Sequence, residues 1–283
     1  MNNKEEGPRT PDPHKHGNDE IQLFKPSHRP ICPKCRKKAR TFYTREEGLY
    51  KTEGYYCRAC DEIVHVISDK PPLIHRMEIQ EYLKTAKNKF DLILADPPWT
   101  YNVDAVRRED RISSHYRQMS TQDICNLPVQ KISEKKAVLF LWSSAPKVNE
   151  AMEVIQSWGF EYKTQLIWNK KSMGLGQNVR GQHEILLIGK KGNFPTPKFK
   201  PRSVFEEKRT DHSRKPVKSY KIIDTMYPEA KKIELFARWV YPGWVGVGNE
   251  AEPKPDQEVH AKNQKKCMQK FEVEVIRGVG TEQ

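Results

Sequence analysis

The 283-residue sequence has no apolar run approaching the length a helix needs to cross a bilayer. Its first residues, Met1-Asn2-Asn3-Lys4-Glu5-Glu6, lack the apolar centre of a secretory signal. These absences predict a soluble, intracellular protein of cytoplasm or nucleus, or of the nucleoid in a bacterium. Acid is short relative to base: 37 Asp and Glu face 50 Lys and Arg, a net charge of +13. That excess suits a partner with a phosphate backbone, but it speaks to affinity and not to sequence specificity. A basic surface that only aids solubility gives the same count. Cysteine is scarce too. Six residues do not make a disulfide scaffold, and four of them fall in two close pairs, which in a reducing compartment favours metal.

What is present divides the chain into unlike parts. Residues 1–26 are polar and proline-rich with almost nothing to bury, and read as a disordered tail whose His14 and His16 are solvated. Residues 27–70 hold Cys32-Pro33-Lys34-Cys35 and Cys57-Arg58-Ala59-Cys60. Two such knuckles offer four thiolates at tetrahedral spacing, with Thr41-Phe42-Tyr43 and Gly54-Tyr55-Tyr56 as strands of a zinc ribbon that Ile63 to Val66 closes. Zn2+ there would be structural, because four cysteines leave no open coordination position and so short a segment cannot build a core. Arg36, Lys37, Lys38 and Arg40 read either as phosphate contacts or as a solvated face. A second domain is expected over 71–250, after the Pro71-Pro72 linker, and a polar tail over 251–283. In that tail Phe271, Val273 and Val275 alternate with acids and permit one edge strand. Cys125 and Cys267 are isolated thiols.

The chain is organised around Phe90-Asp91-Leu92-Ile93-Leu94-Ala95-Asp96-Pro97-Pro98-Trp99. Its apolar run is too short for a buried helix and reads as a buried strand of a mostly parallel sheet. Two prolines cannot continue a central strand, so the chain must leave at the sheet's carboxyl edge, where open α/β sheets place ligands. The rigid turn delivers the Asp96 carboxylate, the Pro97 carbonyl and the face of Trp99. An exocyclic amine conjugated to its ring, as in adenine, is a poor nucleophile. Acceptors on its N–H groups concentrate the lone pair on nitrogen, and Asp96 with the Pro97 carbonyl suits that task while Trp99 could stack on the base. An ordinary strand exit opened by Asp-Pro is the plain alternative.

Asp96-Pro97-Pro98-Trp99 resembles the signature of the MT-A type of S-adenosylmethionine-dependent amino-methyltransferases. That family includes the mRNA adenosine methyltransferase catalytic subunit and bacterial, phage and protist DNA adenine enzymes. The resemblance runs from about Phe90 to Glu250, with further blocks at Ile233-Glu234-Leu235-Phe236, with Arg238, and at Gly248-Asn249-Glu250. It implies an α/β, Rossmann-like class I methyltransferase sheet with permuted motif order, since the cofactor block follows the catalytic one. By resemblance, Asp96, Pro97, Pro98 and Trp99 are the catalytic turn, and Asp96, Lys215, Arg238, Asn249 and Glu250 hold S-adenosylmethionine. Glu78 and Ile79 lie where the family often adds cofactor contacts. Tyr116 belongs to a gate near the base, or packs at a helix entry, and Lys170 and Arg180 contact substrate or order their loop. Val240 and Tyr241 stand where the family usually has His-Asn.

Alternating strands and helices support a doubly wound sheet, with strands at Ala137–Trp142, Tyr162–Trp168, Ile185–Ile188, 232–238 and 245–250. Helices are expected from Ser120 or Thr121, over Ala145–Trp158 and over Pro216–Met226. Positive charge accumulates from Lys190 to Lys221, as in a segment that follows a nucleic-acid backbone. The implied function is methyl transfer to the exocyclic amine of adenine in nucleic acid, DNA ahead of RNA, by a chain that could be a homodimer or pair with a related subunit. A binding subunit without catalysis is the rival, and the Val240-Tyr241 departure is its best support.

Overall fold

The computed structural model describes residues 35–37, 40–47, 50–60, 62–68, 70, 72–101, 118–174, 178–197, 199–209, 214–253 and 275–277. The expected tail at 1–26, together with Cys32 and Tyr116, lies outside them. No described helix is long and apolar enough to cross a membrane.

A three-stranded antiparallel sheet comes first: β1 (Arg40–Glu47), β2 (Tyr50–Cys57) and β3 (Glu62–Ser68), in that order. These strands cover the segments expected between and after the two cysteine pairs, and Tyr55 and Cys57 are buried.

The rest is a nine-stranded mixed sheet with helices against it. Its strands are β4 (Leu73–Arg76), β5 (Phe90–Ala95), β6 (Ser133–Ser143), β7 (Glu161–Asn169), β8 (His183–Lys191), β9 (Val204–Glu206), β10 (Lys232–Leu235), β12 (Val245–Val247) and β14 (Val275–Arg277). The spatial order is β14-β4-β12-β10-β5-β6-β8-β7-β9, and β8 alone runs antiparallel to both neighbours. A separate short pair joins β11 (Trp239–Val240) to β13 (Glu252–Pro253). At the opposite edge β14 adds in parallel beside β4, so an edge strand does form in the C-terminal segment, at Val275 and just beyond it.

The period of two in β5 explains the layering. Ile93 and Ala95 join a core containing Leu139, Leu141 and Leu235 with α1 (Ile79–Thr85), α2 (Thr121–Cys125) and α3 (Val148–Ser157), through Leu83, Ile124, Val154 and Ile155. Leu92 and Leu94 join the other, containing Val138, Phe140 and Trp142 with Ile222 and Ile223 of α4 (Val217–Met226). Both faces of β5 are therefore covered, which is why its sequence is continuously apolar from Leu92 to Ala95. A mixed α/β architecture of this kind fits a Rossmann-like methyltransferase.

Several boundaries differ from expectation, and β8 extends beyond the expected strand at both ends. The helix expected from Ala145 opens with a 3-10 turn at Ala145–Lys147, closed by the Lys147 N–H donating 2.9 Å to the Ser144 carbonyl, with Pro146 in a first turn that needs no N–H from it. β6 begins at Ser133, so it pairs with β5 from Phe90 onward. β10 stops at Leu235 because Phe236 takes φ +62, and the Ala237 N–H donates to the Val247 carbonyl instead. β12 stops at Val247, and Gly248 is required next: a Cβ there would lie 2.4 Å from the Ala237 carbonyl oxygen.

Candidate active site

Asp96 sits at the carboxyl end of β5, between the ends of β6 and β10. The Trp99 N–H donates 2.9 Å to the Pro97 carbonyl and the Met119 N–H donates 2.9 Å to that of Pro98, which fixes the turn. The Pro97 carbonyl thus already accepts one hydrogen bond and keeps one lone pair for another donor. Trp99 departs from its expected role. It is 7% exposed within the core, and its Nε1–H donates 3.2 Å to the Trp142 carbonyl, so its face is not offered to a ligand.

Lys215 stands just before α4. Pro216 supplies no side-chain cap to that helix; Glu207 does, accepting from the Val217 and Lys218 N–H groups at 2.9 and 2.8 Å. Held there, the Lys215 ammonium lies 2.9 Å from Asp96 Oδ1, 3.1 Å from Glu184 Oε2 and 5.4 Å from the centre of the Trp142 ring. Glu184 also meets Lys170, 3.4 Å away through Oε1. Four charges of alternating sign therefore run from Asp96 to Lys170.

Their ionisation follows from burial set against pairing. Burial pushes the Asp96 carboxyl above the ordinary carboxylate range and Glu184 adds to this, while Lys215 opposes it. Burial also works against Glu184, but Lys215 and Lys170 outweigh it and hold its carboxyl below the usual range. Lys215 loses solvation yet, facing two carboxylates, is held above the ordinary lysine value.

A cavity opens beside this chain, lined by Asp96, Lys215, Arg214, Tyr220, Glu234, Phe236, Arg238, Trp239 and Tyr241. The Arg214 guanidinium lies 3.8 Å from the centre of the Trp239 ring. Tyr220 stacks on Tyr241 at 3.9 Å and donates 2.7 Å to Glu234 Oε1. Burial raises the Glu234 carboxyl to about 8, the Tyr220 hydrogen bond and Lys215 resist, and Asp96 adds to the rise. Val240 is fully buried, whereas Tyr241, itself nearly so, lines the cavity, so the departure at these positions touches both the core and the site.

The sequence-predicted residues do not all converge. Asp96, Lys215 and Arg238 share the cavity, and Lys170 reaches Asp96 through the ion-pair chain. Asn249 and Glu250 are exposed at the carboxyl end of β12 and do not line it; Asn249 Nδ2 donates 2.6 Å to Glu78 Oε1, joining the block to the start of α1. Arg180 is exposed on the loop between β7 and β8. Glu184 and Glu234 stand in blocks that resemble the family, yet the sequence assigned no role to either. For Glu234 the signal was an acid between Ile233 and Leu235 in a buried strand, a placement that burial makes costly without a use. In the first module the sulfur atoms of Cys35, Cys57 and Cys60 lie within 4.8 Å of one another, with Cys35 and Cys57 at 3.5 Å.

The model of the family MT-A70 matches residues 90–250. The chain belongs to the MT-A70 family. By that membership it is an S-adenosylmethionine-dependent adenine methyltransferase. Among its relatives is the type II methyltransferase M.MunI of a Mycoplasma species, 32% identical over 63% of this chain and 83% of that protein. The N(6)-adenosine-methyltransferase catalytic subunit METTL3 of Homo sapiens is 27% identical over 57% of this chain and 28% of its own length. The non-catalytic subunit METTL14 of Xenopus tropicalis is 26% identical over 68% of this chain and 46% of its own. The chain thus spans most of the Mycoplasma protein but less than half of the two animal subunits.

Proposed function

We propose that this protein methylates the exocyclic N6 amine of adenine in DNA. The observation that carries the reading is the placement of Asp96: a carboxylate at the end of the central strand, in a rigid Pro-Pro turn, at the mouth of a cavity lined by Lys215 and Arg238. The donor set fits S-adenosylmethionine, with Asp96 for its ammonium and Lys215 and Arg238 for its carboxylate and ribose. Asn249 and Glu250, with Glu78, would hold the adenosyl end. Bound there, the cofactor supplies an electrophilic sulfonium methyl. Asp96 and the remaining lone pair of the Pro97 carbonyl accept the two N–H groups of the target amine, directing its lone pair at that methyl. The amine's proton leaves after transfer, so no strong base is needed, and positioning supplies most of the rate. Glu184 orders Lys215, and Lys170 balances Glu184. Tyr116 and Arg180 would contact the nucleic acid.

DNA is favoured over RNA by the likeness to the type II methyltransferase M.MunI, of which this chain covers 83%; RNA is the second reading, supported by the likeness to METTL3. A duplex target must be flipped out at a cost of about a few kcal/mol, which single strands avoid. Retention of Asp96-Pro97-Pro98-Trp99 makes this chain the active partner, whether as a homodimer or beside a related subunit. The binding-subunit alternative is favoured by the likeness to METTL14 and by Val240 and Tyr241. A zinc ribbon over 27–70 completes the reading: tetrahedral thiolates on zinc lie about 3.8 Å apart, a spacing that Cys35, Cys57 and Cys60 can meet with Cys32 as fourth ligand.

The test is methyl transfer from labelled cofactor to matched DNA and RNA oligonucleotides, single and double stranded, with nucleoside mass spectrometry. Methyladenine in DNA that disappears with Asp96→Ala supports the reading. Product in RNA alone moves it to the second reading, and no product with no calorimetric cofactor binding leaves the binding subunit.

A further inference from the structure

Four large hydrophobic side chains are exposed among the described residues, and the aromatic one is Tyr101, two positions beyond the catalytic turn. It is 40% exposed, yet its surroundings hold it still. Thr100 before it donates to the Met119 carbonyl through both its N–H and its hydroxyl, at 3.2 and 2.8 Å. The Tyr101 hydroxyl pairs with Ser144 Oγ at 2.7 Å, tying the exit of β5 to the exit of β6. Lys147 places its ammonium 5.6 Å from the ring centre and is itself anchored to Glu150 at 2.7 Å.

A tyrosine fixed at its tip and 40% exposed serves packing poorly, since part of its apolar surface stays in water. It serves stacking well, because a base gains a face without the entropy loss of ordering a mobile side chain. The nearby ammonium would attract a phosphate on the same strand. Trp99, the aromatic the catalytic turn offers first, is buried and cannot take this part.

We infer that Tyr101 is a stacking plate for a nucleobase of the substrate strand at the mouth of the active site, with Lys147 beside it for the adjoining phosphate. This rests on the proposed action on nucleic acid. The ring binds and the hydroxyl positions it.

The test compares Tyr101→Leu and Tyr101→Phe with the unmodified protein on an adenine-containing oligonucleotide. Three quantities are read: KM and kcat for the oligonucleotide, calorimetric affinity for S-adenosylmethionine, and fluorescence of the same oligonucleotide carrying 2-aminopurine, which stacking quenches. Leu is expected to raise KM about tenfold and relieve the quenching, with cofactor affinity unchanged, while Phe keeps most of both because the ring remains. A Leu variant with unaltered KM and quenching overturns the inference, as does a Phe variant as impaired as Leu, which would assign the effect to the Ser144 bond. Failure of the unmodified protein to methylate any oligonucleotide would instead sink the proposed activity. The 2-aminopurine titration would still decide the stacking, since it needs binding and not turnover; no binding at all overturns both.

Discussion

Asp96 accepts hydrogen bonds from an amine most strongly when ionised, and burial with a neighbouring carboxylate makes ionisation harder. The acidic limb of kcat/KM, which reports the free enzyme, should accordingly lie above the ordinary carboxylate range. Glu184→Gln removes a like charge and leaves Lys215 to Asp96 alone; both changes lower the Asp96 pKa, so the limb should move to lower pH. A limb that stays or moves upward would separate Glu184 from Asp96. Glu234 supports a stability prediction. It is 4% exposed and its carboxyl is raised from 4.5 to about 8 on folding. The folded state then binds more protons than the unfolded one between those values. Stability should fall as pH rises through that window, by on the order of a few kcal/mol in all. Glu234→Gln, neutral throughout, should flatten that part of the melting temperature profile between pH 5 and 8; equal slopes in the two proteins would show Glu234 is not neutral when folded. At this scale the sequence displayed Asp96, Lys215 and Arg238 through their blocks. It did not display the Lys215 bridge to Asp96 and Glu184, whose members are separated by 119 and 31 positions. Pattern within a window cannot reveal such pairs. Nor could it show that Trp99 faces inward, because the side chain's direction depends on where β6 places the Trp142 carbonyl.

The elements were legible where apolar period and breakers agree, as at β5 or α4. They were obscure where a single backbone conformation ends them, as φ +62 at Phe236 ends β10. The antiparallel direction of β8 was equally hidden, because a buried strand looks the same in either sense. Packing between β11 and β12 carries a test of its own. A Cβ on Gly246 would lie 2.1 Å from Val240 Cγ2, inside a strand that is buried on that side. Gly246→Ala should therefore destabilise by about 1–3 kcal/mol in urea unfolding. Adding Val240→Ala should recover part of that loss, giving a favourable coupling between the two sites. Simple additivity would mean that β12 shifts as a whole to relieve the contact.

Across the whole molecule, charge and the cysteine module act on different observables. A net charge of +13 makes binding to any oligonucleotide salt-dependent, with log affinity falling linearly in log salt whatever the sequence. A flat dependence would remove phosphate contacts from the account. The module behaves differently, because its expected metal stabilises a fold and touches no reacting atom. Cys35, Cys57 and Cys60 gather their sulfurs at the ends of a sheet too small to hold a core, and β3 of that sheet lies against α4, the helix that begins just after Lys215. Bound zinc should therefore stabilise the module directly and Lys215 only through α4. Metal analysis should find one zinc per chain, and Cys57→Ser should lose it together with the module's protection from proteolysis. Cofactor affinity should fall in that variant by less than in Lys215→Ala, since Glu207 still caps α4 from the other side. Stoichiometric zinc with cofactor affinity lost as completely in Cys57→Ser as in Lys215→Ala would make the metal a condition for folding the catalytic domain itself. A protein that keeps its stability and protease resistance when freed of all metal would end the zinc reading.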